Sequence, residues 1–253
     1  MKAVSDALEL SALSGDWKLH QRVEGHRFST DDVVAAGAAV LGTDPPPRRV
    51  LDLGCGIGSV ALMLAWRWRD VAVVGVEAQL PSITLARRSA EHNGAAGRVT
   101  LVHGDLRDEH PEIPAGTFDL VTGTPPYIPL GSGTVSNVLQ KAYCRFEIRG
   151  DVCDYLMAGR RALRPDGTMW LIHGGRQVER VARAADEADM EVRSWRLVVP
   201  VVGREPLISV YRLTPTGRAP MPEASPPLVV RTASGARTPE MRALRDALGM
   251  PEL

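Results

Sequence analysis

The chain has 253 residues, 44% of them apolar, and its 30 basic residues balance its 30 acidic ones. This length suits one α/β domain with extensions, and two domains of equal size are disfavoured. Balanced charge excludes a global field that would hold a polyanion, so a nucleic-acid site has to be a local patch. Three cysteines suit a reducing compartment, and the absence of a leader pattern or an apolar span predicts a cytoplasmic protein without a membrane partner.

The first thirty residues predict an extension that leads into a helix. Residues 1–16 predict a loose or helical lead-in, and residues 17–23 predict an edge strand, with residues 25–28 as the turn and return of a hairpin. Hydroxyl and carboxylate groups in residues 29–32 cap the helix that follows. We therefore expect an N-terminal extension with a hairpin over residues 1–27.

A glycine-rich turn follows the first strongly apolar strand. Gly54, Gly56 and Gly58 let the backbone approach a ligand closely, and the helix that follows presents unpaired N–H groups. The spacing lacks the third glycine of a dinucleotide fingerprint, and no phosphate-loop lysine follows. Asp52 would repel a pyrophosphate but can receive an ammonium group. The pattern favours a zwitterionic nucleoside such as S-adenosylmethionine and disfavours a nicotinamide oxidoreductase.

Two further strands end in carboxylates. Residues 71–77 are nearly all apolar and end in Glu77, about 20 positions after the glycine turn, where a carboxylate can bind both hydroxyls of a ribose. Residues 98–105 predict the next strand, which ends in Asp105. A carboxylate that only faces water is the alternative in each case, and for Asp105 taken alone the two interpretations are equal.

A proline-stiffened segment follows the fourth predicted strand, residues 117–123. It consists of Thr124, Pro125, Pro126 and Tyr127. Two consecutive prolines fix an extended backbone, so the carbonyl groups and the aromatic ring are held rigidly beside each other. Such a surface suits a flat group that carries an amine. The alternative is a rigid turn without a chemical role.

Basic residues alternate with aromatic ones shortly after this segment. Lys141, Arg145 and Arg149 lie in a stretch that also contains Tyr143 and Phe146. This composition fits contacts to phosphates and unstacked bases, so we predict that the three basic residues bind the substrate. A solvated helix start is the alternative.

The last third of the chain is predicted to continue the sheet and to end in a linker and a docked tail over residues 215–253. The predicted elements are a helix over 151–163, a turn at 164–167, a strand over 168–173, a helix from 174 to about 190, an antiparallel pair of strands over 192–201 and 207–213, a short strand over 228–231 and a last helix that opens at 238–240.

Two of these stretches carry a family resemblance. The Asp-Leu-Gly-Cys-Gly-Ile-Gly sequence over residues 52–58 resembles the first motif of class I S-adenosylmethionine-dependent methyltransferases, and residues 124–127 resemble their (Asp/Asn/Ser)-Pro-Pro-(Tyr/Phe) motif. The order of elements is most similar to that of the bacterial tRNA(Val) adenine-N6 methyltransferases. The resemblance implies an α/β, Rossmann-like class I methyltransferase domain over residues 28–214, with a mostly parallel central sheet, an antiparallel closing strand and helices on both faces.

The resemblance also implies the cofactor, S-adenosylmethionine, and the residues that bind it. Thr30 and Asp31 are implied to border its methionine end, while Asp105 reads the adenine amine beside the backbone of Leu106. The implied cofactor-binding residues are Thr30, Asp31, Asp52, Gly54, Gly56, Gly58, Glu77, Ala78, Asp105 and Leu106.

The same resemblance implies the chemistry at residues 124–127. The first side chain and a proline carbonyl accept the amine hydrogens, and Tyr127 stacks on the base. Thr124 stands where the family has Asp, Asn or Ser, and its hydroxyl lacks an sp² oxygen. We expect methyl transfer to adenine N6 in structured RNA, foremost tRNA, by a monomer or weak homodimer without a metal. The alternatives are a protein glutamine N5 methyltransferase and an inactive RNA-binding module.

Overall fold

The structure is a computed structural model that describes residues 7–129, 131, 139–215, 217 and 219–250; the side chains at 139 and 141 lie outside the described part. The strands are Leu8–Ala12 (β1), Lys18–Arg22 (β2), Arg49–Leu53 (β3), Ala72–Glu77 (β4), Val99–His103 (β5), Phe118–Gly123 (β6), Leu163–Gly174 (β7), Glu191–Val201 (β8), Ile208–Thr214 (β9) and Leu228–Arg231 (β10). The helices are Thr30–Leu41 (α1), Ser59–Arg67 (α2), Leu80–His92 (α3), Leu139–Arg145 (α4), Val152–Ala162 (α5), Val178–Glu187 (α6) and Pro239–Ala247 (α7).

An eight-stranded sheet in the order β10-β8-β9-β7-β6-β3-β4-β5 forms the centre of the molecule. Strands β3 to β7 are mutually parallel, and β9 is antiparallel to both of its neighbours. The predicted fold class, a mostly parallel sheet with an antiparallel closing strand, is confirmed. The strand order reverses between β3 and β6, and ligands bind α/β sheets at the carboxyl ends of the strands beside such a switch point.

Helices cover both faces of this sheet. Neighbouring residues on a strand point to opposite faces, so Val50 packs in one hydrophobic cluster and Leu51 in the other. Helices α1, α2, α3 and α7 contribute to the first cluster, and α5 and α6 contribute to the second. Burial on both faces explains the nearly continuous apolar sequences of the central strands.

The amino-terminal segment differs from its prediction. Leu8–Ala12 forms a strand instead of a loose or helical lead-in, and this strand pairs antiparallel with β2 along its whole length. The hairpin turn therefore precedes β2, and the predicted return over residues 25–28 is wrong. Gly15 has a φ of +54° in that turn, a conformation that glycine adopts without strain, and only a short loop has to close. Residues 1–6 lie outside the described residues.

Two boundaries in the last third also differ. β7 begins at Leu163, and the predicted turn at 164–167 lies inside the strand, where the pairing with β6 shifts register. The predicted helix start at Gly174 and Gly175 is wrong, because Gly174 pairs in β7 and the N–H of Gly175 donates to the carbonyl of Leu207 at 3.0 Å. α6 begins at Val178.

The carboxyl-terminal segment packs against the sheet and against α1. β10 is parallel to β8, and a Cβ added to Gly37 of α1 would lie 2.9 Å from the Leu244 side chain of α7. The division of the chain after residues 27 and 214 stays a prediction. Within the described ranges, every helix is too short or too polar to cross a bilayer.

Candidate active site

The turn after β3 presents open backbone at the carboxyl edge of the sheet. Gly54, Gly56 and Gly58 have φ values of +62°, +56° and +85°, which side chains other than glycine rarely adopt. A Cβ on Gly54 would lie 2.1 Å from the hydroxyl oxygen of Tyr155, whereas no described atom lies within 4 Å of a Cβ on Gly56. A ligand can therefore approach the backbone at Gly56 closely.

Asp52, in β3, has both carboxylate oxygens bound. Its Oδ1 accepts a hydrogen bond from the Thr122 hydroxyl at 2.8 Å, and its Oδ2 accepts one from the N–H of Ala61 at 3.2 Å. Burial is the main reason that the pKa of Asp52 rises to about 7, and the charges of Asp32 and Glu77 act in the same direction. A cation bound nearby would favour the ionised form of this carboxyl.

Glu77, at the end of β4, connects two loops. Its Oε2 accepts a hydrogen bond from the N–H of Gly56 at 3.0 Å, and its Oε1 accepts one from the N–H of Gln79 at 2.6 Å. Burial raises the pKa of Glu77, and the two backbone hydrogen bonds oppose that rise. Each carboxylate oxygen can accept a second hydrogen bond, so the predicted binding of ribose hydroxyls is compatible with these contacts.

The start of α1 is fixed by a capping box. The Ser29 hydroxyl accepts the N–H of Asp31, and the Asp32 carboxylate accepts the N–H of Ser29 at 2.7 Å. Asp32 also accepts the Ser59 hydroxyl at 2.6 Å, which ties α1 to the first turn of α2. Burial raises the pKa of Asp31, and the Asp32 charge adds to the rise. Thr30 is exposed beside this cap.

Asp105 is already paired. Its carboxylate accepts two hydrogen bonds from the Arg107 guanidinium, at 2.9 and 2.6 Å, and this interaction lowers the pKa of Asp105. The carbonyl of Leu106 accepts a hydrogen bond from Arg161 at 2.9 Å. If Asp105 reads an adenine amine, its carboxylate has to share its oxygens between that amine and Arg107.

One cavity of about 380 Å³ collects most of the predicted site residues. The predicted residues that line it are Asp31, Asp52, Gly54, Gly56, Glu77, Ala78, Asp105, Leu106, Thr124, Pro125, Pro126, Tyr127, Arg145 and Arg149. Thr30 and Gly58 flank the cavity without lining it. Asp32, Ser59 and Tyr155 also line it, although the sequence singled out none of them as ligand contacts.

The charge of this cavity suits a cationic ligand. Five carboxyl groups line it against three guanidinium groups, so acidic groups are in excess; the former belong to Asp31, Asp32, Asp52, Glu77 and Asp105, and the latter to Arg27, Arg145 and Arg149. Burial raises the pKa of Asp31, Asp52 and Glu77. Clustered carboxylates repel one another and would repel a pyrophosphate, whereas a sulfonium and an ammonium group would relieve the repulsion. The open glycine turn and these carboxylates fit S-adenosylmethionine.

Tyr127, after β6, is held at both ends. Its hydroxyl donates to Oδ2 of Asp31 at 3.3 Å, and its carbonyl accepts a hydrogen bond from Nε2 of Gln177 at 2.6 Å. Its ring packs edge-on against His173, with ring centroids 6.1 Å apart. Burial is the main reason that the pKa of Tyr127 rises to about 12, so the hydroxyl stays protonated near neutral pH.

Sequence reasoning missed two residues that contact Tyr127, namely His173 at its ring and Gln177 at its carbonyl. His173 is fully buried, and neither of its ring nitrogens has a hydrogen-bond partner among the described residues. Burial lowers the pKa of His173 to about 4, so a neutral imidazole packs against Tyr127 near pH 7. His173 and Gln177 lie about fifty positions after the proline segment, and no local sequence signal connects them with it.

The predicted substrate-binding residues occupy different places. Arg145 is exposed at the cavity, whereas Arg149 donates to the carbonyl of Ala78 at 3.1 Å and lies 4.5 Å above the Tyr143 ring. Arg149 therefore lies at the Glu77 side of the cavity. Lys141 belongs to α4, and its side chain lies outside the described residues. Contact of these residues with substrate stays a prediction, and so does the absence of a metal.

Comparison with known proteins identifies the fold. A family profile described as "Methyltransferase domain" matches residues 50–167. The crystal structure of a protein described as a predicted O-methyltransferase, from Agrobacterium tumefaciens, resembles this one with a TM-score of 0.67. The sequence identity is 21%, and the likeness covers 88% of this chain and 98% of that chain. At this identity the likeness shows the fold alone.

Three curated relatives differ in the substrates that their names give. A 4-amino-L-phenylalanine/4-methylamino-L-phenylalanine methyltransferase of Streptomyces pristinaespiralis is 32% identical over 64% of this chain and 61% of its own length. A release factor glutamine methyltransferase of Geobacter sulfurreducens is 45% identical over 34% of this chain and 28% of its own length. A tRNA1(Val) (adenine(37)-N6)-methyltransferase of Porphyromonas gingivalis is 28% identical over 85% of both chains. The chain covers less than two thirds of the length of the first two relatives.

The sheet order, the glycine turn and the acidic cavity define an α/β protein built to hold a positively charged nucleoside at its switch point. The matched profile identifies residues 50–167 as a methyltransferase domain. The chain therefore carries a methyltransferase domain whose cofactor is S-adenosylmethionine, and its fold resembles that of the class I enzymes.

The predicted ribose role of Glu77 can be tested by Glu77→Gln. We expect S-adenosylmethionine to bind about 10- to 100-fold more weakly, because a hydrogen bond to a charged group contributes about 1.5–3 kcal/mol. Isothermal titration calorimetry measures this change, with Glu91→Gln on the exposed face of α3 as the control. Unchanged affinity in Glu77→Gln, at an unchanged melting temperature, would contradict the assignment.

Proposed function

We propose that this protein transfers a methyl group from S-adenosylmethionine to an amino nitrogen on a planar acceptor, namely adenine N6 in structured RNA, with tRNA as the first candidate. The observation that carries the proposal is that residues 124–127 line the same cavity as the glycine turn and the buried carboxylates. S-adenosylmethionine, when bound, would supply an electrophilic methyl group and would leave as S-adenosylhomocysteine, while the amine would release one proton to solvent. The residues of the chain hold and orient the acceptor.

The orientation depends on the rigid segment after β6. Proline fixes φ near −65°, and the contacts from Gln177 and Asp31 hold the carbonyl and the hydroxyl of Tyr127, so a flat base can stack on an immobilised ring. In the proposed arrangement the Thr124 hydroxyl and a proline carbonyl accept the amine hydrogens and direct the nitrogen lone pair into the cavity. Positioning of this kind lowers the barrier without a general base.

The relatives support an acceptor of this class. Their names specify adenine N6, glutamine and an aminophenylalanine, each of which carries nitrogen on a planar group. The adenine-N6 relative matches over the largest share of the chain among these three, which favours RNA. A cytoplasmic location and a monomer or weak homodimer complete the proposal.

A protein glutamine methyltransferase is the second candidate. The 45% identity to the release factor enzyme covers 87 residues, and a side-chain amide fits the same flat surface. An inactive RNA-binding module is the third, because Thr124 differs from the family motif. These candidates make different predictions about the labelled product.

A labelling experiment separates the three candidates. The purified protein is incubated with tritiated-methyl S-adenosylmethionine and with RNA or protein fractions from cells that lack it. We expect label in RNA and N6-methyladenosine in the nucleoside digest, measured by mass spectrometry. Label in protein alone would favour the glutamine enzyme. Calorimetric binding of cofactor and RNA without any methylated product would favour the inactive module.

The stacking role of Tyr127 is tested by removal of its ring. Tyr127→Ala should lower kcat more than about 100-fold while the Kd for S-adenosylmethionine changes less than about 3-fold, because the acceptor loses its support and misaligned reactants react far more slowly. Tyr127→Phe keeps the ring and loses only the hydrogen bond to Asp31, so it should retain at least about a tenth of the activity. Full turnover in Tyr127→Ala would refute the role.

The Thr124 hydroxyl is tested by two substitutions, one that keeps the shape of the side chain and one that keeps its hydroxyl. Thr124→Val removes the hydrogen-bond acceptor and should lower kcat about 10- to 100-fold, whereas Thr124→Ser keeps the hydroxyl and should stay within about 5-fold of the unmodified protein. Single-turnover methyl transfer measures both. Equal rates in the two variants would show that the hydroxyl does not bind the amine.

A further inference from the structure

Four arginines surround a second cavity, which belongs to the carboxyl-terminal segment. Arg231, Arg237, Arg242 and Arg245 line a volume of about 300 Å³ together with the carboxylate of Asp246. These residues come from β10, from the turn after it and from α7. The protein as a whole is electrically balanced, so this is a local concentration of positive charge.

Main-chain contacts orient two of these guanidinium groups. Nη1 of Arg231 donates to the carbonyl of Gly235, and Nη1 of Arg242 donates to the carbonyl of Arg237, each at 2.6 Å. A neutral carbonyl fixes a guanidinium without cancelling its charge, and the remaining N–H groups of the fork can bind phosphate oxygens. Arg245 is 9% exposed and lies at the inner wall.

The arginine cavity lies on the same edge of the sheet as the acceptor segment. β10 is parallel to β8, both β8 and β7 are antiparallel to β9, and β7 is parallel to β6. The carboxyl end of β10, where Arg231 lies, therefore shares an edge with the carboxyl end of β6, which Thr124 follows. Four strand spacings separate them, or about 19 Å, which corresponds to about six phosphates of a stacked strand.

We propose that the cavity of Arg231, Arg237, Arg242 and Arg245 binds the phosphate backbone of the RNA whose base enters the active site. The inference rests on the proposed function and adds a second contact region to it. Phosphate contacts of this kind fix the position and orientation of a nucleic acid without reading its sequence. RNA is favoured over a small anion because the cavity shares the sheet edge with the acceptor segment, about 19 Å from it, a separation that one RNA strand can span.

The test is the salt dependence of tRNA binding to the full-length protein. Arg231→Gln with Arg242→Gln should lower the slope of log K against log salt by about 1.4 to 1.8, since each lost phosphate contact contributes about 0.7 to 0.9. Filter binding of bulk tRNA over a salt series measures it. The KM for tRNA should rise about 10-fold, while kcat and the Kd for S-adenosylmethionine stay unchanged.

Two matched variants separate charge from structure. Arg231→Lys with Arg242→Lys keeps the charge and should restore most of the salt slope. If the two arginines had only a structural role, the lysine variant would lose the slope just as the glutamine variant does. Arg67→Gln with Arg69→Gln removes the same charge from two exposed residues at the carboxyl end of α2, at the opposite edge of the sheet, and should leave the slope unchanged. If the double glutamine variant unfolds, Arg242→Gln alone should lower the slope by about 0.7 to 0.9.

The outcomes also separate this inference from the proposed function. An unchanged slope with methylated RNA as product would overturn the inference and leave the function standing. A lowered slope without methylated RNA as product would support the phosphate-binding cavity and contradict the proposed function. Inorganic pyrophosphate that displaces tRNA at equal molar concentration would show a small-anion site and overturn the inference.

Discussion

The site depends on the hydrogen bonds that the Glu77 carboxylate accepts from Gly56 and Gln79. They connect the loop after β3 with the loop after β4, so the glycine turn is held against the neighbouring strand. The turn needs this support because its three glycines have positive φ values and, lacking side chains, cannot hold themselves in place by packing. With the turn fixed, the first N–H groups of α2 and the strand-end carboxylates face one cavity.

The acidic groups that line this cavity lower the stability of the protein without a ligand, because they are buried close to one another. Asp52 is buried near Asp32 and Glu77, and its pKa of about 7 reflects burial first and the neighbouring charges second. Because the pKa of Asp52 in the folded protein lies above its unfolded value of 3.8, the folded protein holds the proton more tightly. The free energy of unfolding therefore decreases as the pH rises from 3.8 through 7. A bound cation would counter that loss, so the same charges that destabilise the apo protein favour the ligand.

The two halves of the site are joined through Tyr127. Its hydroxyl donates to Asp31 at the start of α1, although the two residues are 96 positions apart, and Gln177 holds its backbone from the other side. Asp31 donates its N–H to the Ser29 hydroxyl in the capping box of α1, and Asp32 of the same box accepts the hydroxyl of Ser59 in α2. The acceptor ring is therefore fixed relative to the glycine turn by a continuous series of hydrogen bonds, and methyl transfer needs such fixed relative positions of donor and acceptor.

The sequence by itself determined the parallel core and the placement of Asp52, Glu77 and Asp105 near one edge, because helical crossovers between parallel strands force the carboxyl ends together. It also determined the rigid segment at residues 124–127, since proline restricts its own backbone locally. Only the tertiary structure decided that β1 pairs with β2, that Arg107 binds the Asp105 carboxylate and that His173 packs against Tyr127. It also decided that β10 pairs with β8 at the end of the sheet. Those features depend on which surfaces meet after folding, and contacts between distant residues leave no periodic or local signal in the chain.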